Sequence, residues 1–336
     1  YQYRSTGNYN SMSNGYVNQF LEYFDIHNIN TTVGYNGFDF RTQALNFHNV
    51  KYVIITDVDR AIPPYGFKYL TSVDIPKYDE NKNITSIGGN IVYENGKMVY
   101  QKANIYINEN YLQFGAVYYD YILESELSLR NTLGRENILL DAVIVAEEVP
   151  GLAHYRGARD IVGNVVNEFT LDNIEFEDGT YRVGWGGGTI SFTINNITDS
   201  EVFLEIINLL PEDRYLQFDT IYRTEDTVST ETYFAYGSNM YIDNSHRFVN
   251  LGYYESKEQL VVEIELQMGR YTFNDIKYYL NDMSEIDNKI SKLNAHIITD
   301  FQENNHGFTG SINHERTGMM VFSIPYHDGF TAYIDG

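Results

Sequence analysis

The sharpest local signal for chemistry is Asp57-Val58-Asp59, which directly follows the apolar run KYVIIT at residues 51–56. Two carboxylates at a strand end can share a divalent cation, since hard oxygen ligands suit such ions. Many nucleotide-sugar transferases hold a metal against a diphosphate in this way. The competing reading is a plain acidic turn, because Arg60 and Pro63-Pro64 follow at once and the chain holds 46 Asp plus Glu. A second signal is Gly184-Trp185-Gly186-Gly187-Gly188, which contains the only Trp. Glycines let backbone approach a ligand closely, and an exposed indole can stack on a sugar face. The run lacks the Lys and Ser/Thr of a phosphate loop. Its plainer alternative is a tight turn with Trp185 plugging the core.

His296, His306, His314 and His327 gather towards the C-terminus without the i, i+4 spacing of a helical metal pair. His314-Glu315 lacks the second His of H-E-x-x-H, and there is no G-x-S-x-G. Cysteine is absent, which removes disulfides, thiolate ligands and cysteine nucleophiles. No catalytic residue, metal ligand or cofactor is therefore expected. The residues expected to meet a ligand are Trp185 and the turn Tyr326-His327-Asp328, because loops carry function on rigid sandwiches.

These positions need elements to hold them. Tyr16, Val17, Phe20, Leu21 and Phe24 recur at helical spacing within 13–28, with Ser13 as a candidate N-cap, and 40–49 reads as a second short helix. The run 51–56 has the continuous β-branched character of a central strand buried on both faces. Asn95-Gly96 suits a hairpin turn, 123–131 reads as helical, and 136–146 fits helix or strand. From about Val165 short apolar runs recur every 8–12 residues (170–176, 189–194, 202–207, 215–221, 232–236, 247–251 and 260–266), the spacing of a sandwich or jelly roll. Ser284 to Asp287 has capping-box form ahead of a helix carrying Ile286, Ile290 and Leu293. Further strands are expected over 308–312, 319–324 and 330–334. The expected fold class is α+β. A mixed α/β domain over 1–150 precedes an antiparallel jelly-roll-like sandwich over 165–336 with one inserted helix, and the break lies in 147–165.

The chain has 336 residues, of which 43% are apolar and 21% charged, enough for two sizeable cores. Its formal charge of −23 repels phosphate backbones, so neither nucleic-acid binding nor electrostatic docking to an anionic membrane is expected. No apolar run reaches the roughly 18 residues a membrane helix needs. The start at Tyr1 and the stop at Asp335-Gly336 read as a piece of a longer protein. Thirty-one Tyr and 19 Phe suit either strand formation or an aromatic surface for sugar.

Three segments resemble one family in that family's order. NFHNVKYVIIT (46–56) is similar to its helix-end and "VKYVI" strand; 105–145 is similar to its "YEN…LP.GF.YD.YI…L…R..LL.A" stretch; MMVFSIPYHDGFTAYIDG (319–336) is similar to its "L.SIPYD.GW.A.VDG" ending. Gln113-Phe114-Gly115 and Phe330 depart from its pattern. The family is YfhO, of bacterial membrane proteins. The resemblance implies a multi-pass parent of GT-C glycosyltransferase type, with this chain as an extracytoplasmic region joined to the membrane through flanking helices. It further implies a part in glycosylating lipoteichoic acid or another cell-wall polymer of a Gram-positive bacterium. The family's catalytic loop has no counterpart here, so acceptor recognition or structural support is expected rather than catalysis. The partner expected is cell-wall glycan or lipoteichoic acid. The alternatives are a stand-alone carbohydrate-binding or adhesion module, and a metal-dependent nucleotide-sugar transferase using Asp57 and Asp59.

Overall fold

The helix expected over 13–28 forms over Gly15–Tyr23 (α1), and Leu21, Phe24 and Ile26 carry its buried side onward into the chain that follows. The computed structural model describes residues 7–9, 15–26, 34–56, 60–77, 92–212, 217–234, 247–304, 307–313 and 316–334. The second helix is Thr42–Phe47 (α2). Together α1 and α2 cover one face of an antiparallel sheet built from Tyr52–Thr56 (β1), Phe67–Pro76 (β2) and Tyr100–Asn108 (β3), in the order β1-β3-β2. This corrects the reading of 51–56 as a central strand buried on both faces. β1 lies at an edge, and only Val53 and Ile55 point inward while Tyr52 and Ile54 face outward. The unbroken apolar run reflects an apolar outer face, which a periodicity argument reads as burial. The hairpin turn at Asn95-Gly96 forms as expected, with both residues at positive φ.

The middle of the chain returns through Ala116–Tyr118 (β4), Asp120–Leu123 (β5) and the short helix Thr132–Glu136 (α3). Parallel pairs flank β5, formed with Val143–Val145 and Ala153–His154. The helix expected over 123–131 shrinks to one turn, Glu124–Leu127.

The remainder is rich in strand, as the described structure is in general, at 48% strand against 12% helix. A four-stranded sheet contains Ile174–Glu177 (β6) and Thr180–Val183 (β7). A seven-stranded sheet is built round two long strands, Gly188–Ile206 (β8) and Arg247–Leu266 (β11), with Gln217–Arg223 (β9) and Val228–Phe234 (β10) beyond β11 and Ile276–Asp282 (β13) on the far side of β8. Gly269–Thr272 (β12) joins the smaller sheet. One apolar cluster, including Tyr181, Val183 and Tyr271 from the small sheet and Ile190, Val202, Leu204 and Val262 from the large one, fills the space between them. The pairs of short strands expected at 189–194 and 202–207, and at 247–251 and 260–266, are each one long strand. The polar residues between them have exposed side chains: Asn195 pairs with Gln259 on the ladder, and Asn196 beside it takes positive φ.

Burial along β8 changes character part-way. Residues 190–194 alternate, as on a sheet with one wet face, whereas 200–204 are buried without interruption. There the second face of the sheet meets the N-terminal elements.

The helix Ile286–Asn294 (α4) forms with Ile286, Ile290 and Leu293 buried, as expected, but no side chain caps it, so the capping box is not made. It packs on Leu112, Ala116 and Tyr118, which belong to the N-terminal elements. The strand Met319–Val321 (β14) pairs with β4, not with the sandwich, and 330–334 forms no strand. Gly115, just before β4, has φ of +74°, and a Cβ there would lie 2.8 Å from Ile298 and 2.9 Å from Phe322. Gly96 has the same φ with nothing within 4 Å. Gly115→Ala is expected to lower thermal stability by the conformational strain, about 1–3 kcal/mol, plus an overpacking loss. Gly96→Ala should show the strain alone. Equal melting losses in the two variants would contradict the close packing of Phe322 on β4.

Candidate functional site

The most heavily engineered polar region is the seam where the N-terminal elements meet the outer face of the large sheet. Arg41, directly before α2, is fully buried. Its Nη1 donates to Phe24 O at 2.6 Å and to Glu136 Oε2 at 3.3 Å, and its Nη2 donates to Asp25 O at 2.7 Å and to Phe248 O at 3.2 Å. Asp39 Oδ2 lies 3.7 Å from Nε. The guanidinium is also within 5.2 Å of the Phe248 ring centroid and 5.7 Å of that of Phe203, the planar cation lying beside two stacked aromatics. Arg suits this place because its rigid fork reaches several acceptors at once.

The first turn of α2 has backbone N–H groups with no partner inside the helix. Glu201 on β8 accepts from Thr42 N at 3.0 Å and from the Thr42 hydroxyl, and Glu136 on α3 accepts from Ala44 N. Two distant carboxylates therefore cap the helix that Arg41 opens. Three acids surround one cation in a dry seam, and burial disfavours their charged forms. Burial lifts Glu201 to about 8, with Thr42 opposing the rise and neighbouring Glu136 adding to it. Burial lifts Asp39 to about 6 against the pull of Arg41, and also raises Glu136, again opposed by Arg41. Glu201 Oε2 and Glu136 Oε1 are buried without a hydrogen-bond partner among the described residues. The arrangement is structural: it is closed to solvent and leaves no room for a substrate.

Beside this seam opens a cleft of about 250 Å³. Asp25, Thr132 and Arg135 line one wall, and Glu205, Phe248 and Tyr279 the other. The walls are already paired within themselves. Arg135 Nη2 donates to Asp25 Oδ2 at 2.8 Å, the Thr132 hydroxyl donates to the same oxygen, and the Tyr279 hydroxyl donates to Glu205. Asn131 caps α3 by accepting from Gly134 N at 2.9 Å.

The residues singled out from sequence lie elsewhere. Trp185 sits in the turn between β7 and β8, and its side chain is 89% exposed. This overturns the core-plug alternative. The turn is held by Asn173 Nδ2, which donates to Trp185 O at 3.1 Å and to Gly187 O at 2.6 Å, while Gly186 and Gly187 take φ of about +90°. Glycine is required there because L side chains are strained at that φ. Tyr326 is exposed and meets Tyr16 of α1 edge to face at 5.4 Å. His327 Nδ1 accepts from Gly329 N at 2.9 Å, and Asp328 is exposed. Among the described residues no ring contact or hydrogen bond joins Trp185 to the 326–328 turn. Asp57 and Asp59 lie outside the described residues, as do His306 and His314. Among the described residues no group of three or more His, Asp and Glu could hold a metal. His296 instead packs edge to face on Tyr119 at 5.0 Å. Sequence reading passed over Arg41, Glu136 and Glu201, whose only sign is the oddity of a charged residue inside an otherwise apolar phrase such as EVFLEI at 201–206.

The description "Bacterial membrane protein YfhO" matches over residues 1–336, the whole chain. The chain belongs to the YfhO family. No curated protein sequence matches it. Among solved structures this YfhO chain is similar to a family two carbohydrate esterase from Cellvibrio japonicus, at 13% identity and TM-score 0.23 over 36% of this chain and 32% of that one. It is also similar to a family 35 carbohydrate binding module from Clostridium thermocellum, at 11% identity and TM-score 0.25, over 36% of this chain and 98% of that one. A third is the C-terminal CBM6 of LamC from Zobellia galactanivorans, at 10% identity and TM-score 0.26, over 36% of this chain and 99% of that one. The chain thus spans about a third of the esterase's length. With likeness at this level, a sugar reading has to rest on the chain's own residues. No helix among the described residues is long and apolar enough to cross a membrane.

The seam yields a pH dependence. The folded value of Glu201, about 8, lies above its ordinary 4.5, so the folded state keeps a proton that the unfolded chain releases. Its contribution is complete below about 4.5 and is lost as pH rises through 8. Buried His48, pushed down from 6.5 to about 4, acts oppositely and only below 6.5. Between pH 6.5 and 8 the melting temperature should therefore fall, with raised Glu136 acting in the same direction, and Glu201→Gln should reduce that slope. An unchanged slope in the variant would show that Glu201 is ionised in the fold.

Proposed function

We propose that this YfhO chain is an extracytoplasmic region that recognises glycan, serving acceptor recognition on the outer face of the cell membrane rather than catalysis. The acceptor class is a cell-wall polymer or lipoteichoic acid, met through its uncharged sugar residues. The observation that carries this reading is the Trp185 indole, 89% exposed at the end of a rigid sandwich on a turn pinned by Asn173. An exposed indole on a pinned turn presents a flat apolar face that complements the apolar face of a pyranose. With a formal charge of −23, a polyanionic backbone is repelled, whereas neutral sugar is not. In this reading residues 1–150 form the frame and the jelly-roll-like part over 165–336 presents Trp185, with the 326–328 turn as a second contact.

Trp185 is the sole Trp, so its fluorescence reports on this turn alone. Titration with neutral wall-polymer oligosaccharides should shift its emission. Trp185→Ala should abolish binding while changing stability by no more than about 0.5 kcal/mol, as for other exposed positions. Binding that survives Trp185→Ala would overturn the role of the indole.

A further inference from the structure

The outer face of the β1-β3-β2 sheet departs from what its position calls for. An antiparallel sheet covered on one face commonly turns polar residues to water on the other. Here the covered face carries Val53, Ile55 and Phe67. Directly paired residues share a face, so the outer face can be read row by row from the register. One row is Tyr52, Ile107 and Lys68; the next is Ile54, Ile105 and Thr71; further along Ile75 faces Gln101. Tyr52 is 49% exposed and Ile54 59%, with Val73 nearby at 47%. None of the residues in these rows is acidic, in a chain with 46 Asp plus Glu. The cations sit at one end. Lys68 is exposed in the Tyr52 row, and Lys51 Nζ lies 5.5 Å from both the Tyr52 and Tyr111 ring centroids.

We propose that this face rests on the surface of a phospholipid bilayer, with Tyr52, Ile54 and Ile105 at the headgroup–acyl boundary and Lys51 and Lys68 among lipid phosphates. Tyrosine favours that boundary because its ring is apolar and its hydroxyl is wet, and lysine can lay its stem on apolar surface while its ammonium reaches phosphate. The family is one of bacterial membrane proteins, so a bilayer is at hand. A second copy of the chain fits less well, because an isologous contact would set lysines together with no carboxylate on the face to pair with them. The total charge of −23 does not forbid the contact. At physiological ionic strength charges farther than about 8 Å from the lipid are screened, and repulsion of the remaining surface orients this face towards the membrane. Two lysines near an anionic surface add only a modest attraction, so the contact is weak on its own and effective when the chain is held at the bilayer.

The chain lacks cysteine, so a single Ile54→Cys can carry an environment-sensitive dye without ambiguity. The labelled full chain would be held by a C-terminal hexahistidine tag on phosphatidylcholine vesicles doped with nickel-chelating lipid, with and without phosphatidylglycerol. A dye on Val261→Cys, an exposed position of β11, serves as the reference. The expected result is a blue-shifted dye at position 54 with a several-fold lower quenching constant for acrylamide than at 261, more so with phosphatidylglycerol. Lys51→Glu with Lys68→Glu should return it to water. Three outcomes would overturn the proposal: equal quenching at 54 and 261, protection that persists in the double Glu variant, or protection that appears without vesicles as protein concentration rises. The last would mark a contact between copies.

Discussion

A buried guanidinium fixes how this protein is put together. Arg41 is one cation in a dry seam, and its acceptors come from four places: the end of α1, the loop before α2, helix α3 and strand β11. Removing one partner of such a group leaves a buried charge uncompensated, at a cost of about 3–5 kcal/mol. The N-terminal elements therefore cannot shift relative to the large sheet without losing several hydrogen bonds at once. The same geometry caps α2, since Glu201 and Glu136 accept its free amides, and Glu136 also pairs with Arg41. Burial in such a place disfavours ionised acid, and it raises Glu201 to about 8.

The seam also dictates where ligands can and cannot go. It occupies the outer face of β8 over 200–206 and of β11 at Phe248, which leaves the sheet buried on both sides there. The cleft alongside is lined by groups that already satisfy one another. What remains open is the far end of the sandwich, where Trp185 stands in water, and the outer face of the β1-β3-β2 sheet. These two surfaces differ in chemistry. One offers a single exposed ring on a turn pinned by Asn173. The other is a broad face without acid, rimmed by lysine.

Several features were legible in the residues themselves. Helix α4 follows from the spacing of Ile286, Ile290 and Leu293, the hairpin from Asn95-Gly96, and the strand-rich second half from its turn spacing. Family membership follows from the order of three segments, and the match covers the whole chain. Each of these depends on neighbours in sequence, which is why a one-dimensional reading reaches them.

Tertiary structure decided the rest. The run KYVIIT has the same composition whether its second face meets protein or another apolar surface, so only the packing of α1 and α2 shows that Tyr52 and Ile54 face outward. The glycines round Trp185 fix a turn, but whether the indole turns inward depends on the sheets beside it, and it turns out to water. Met319–Val321 pairs with β4 some two hundred residues earlier, a choice made by free edge strands and not by local propensity. The Arg41 seam joins Asp39, Glu136 and Glu201 from segments far apart in the chain. Their shifted protonation comes from loss of water, a property of the folded interior that no spacing of residues encodes.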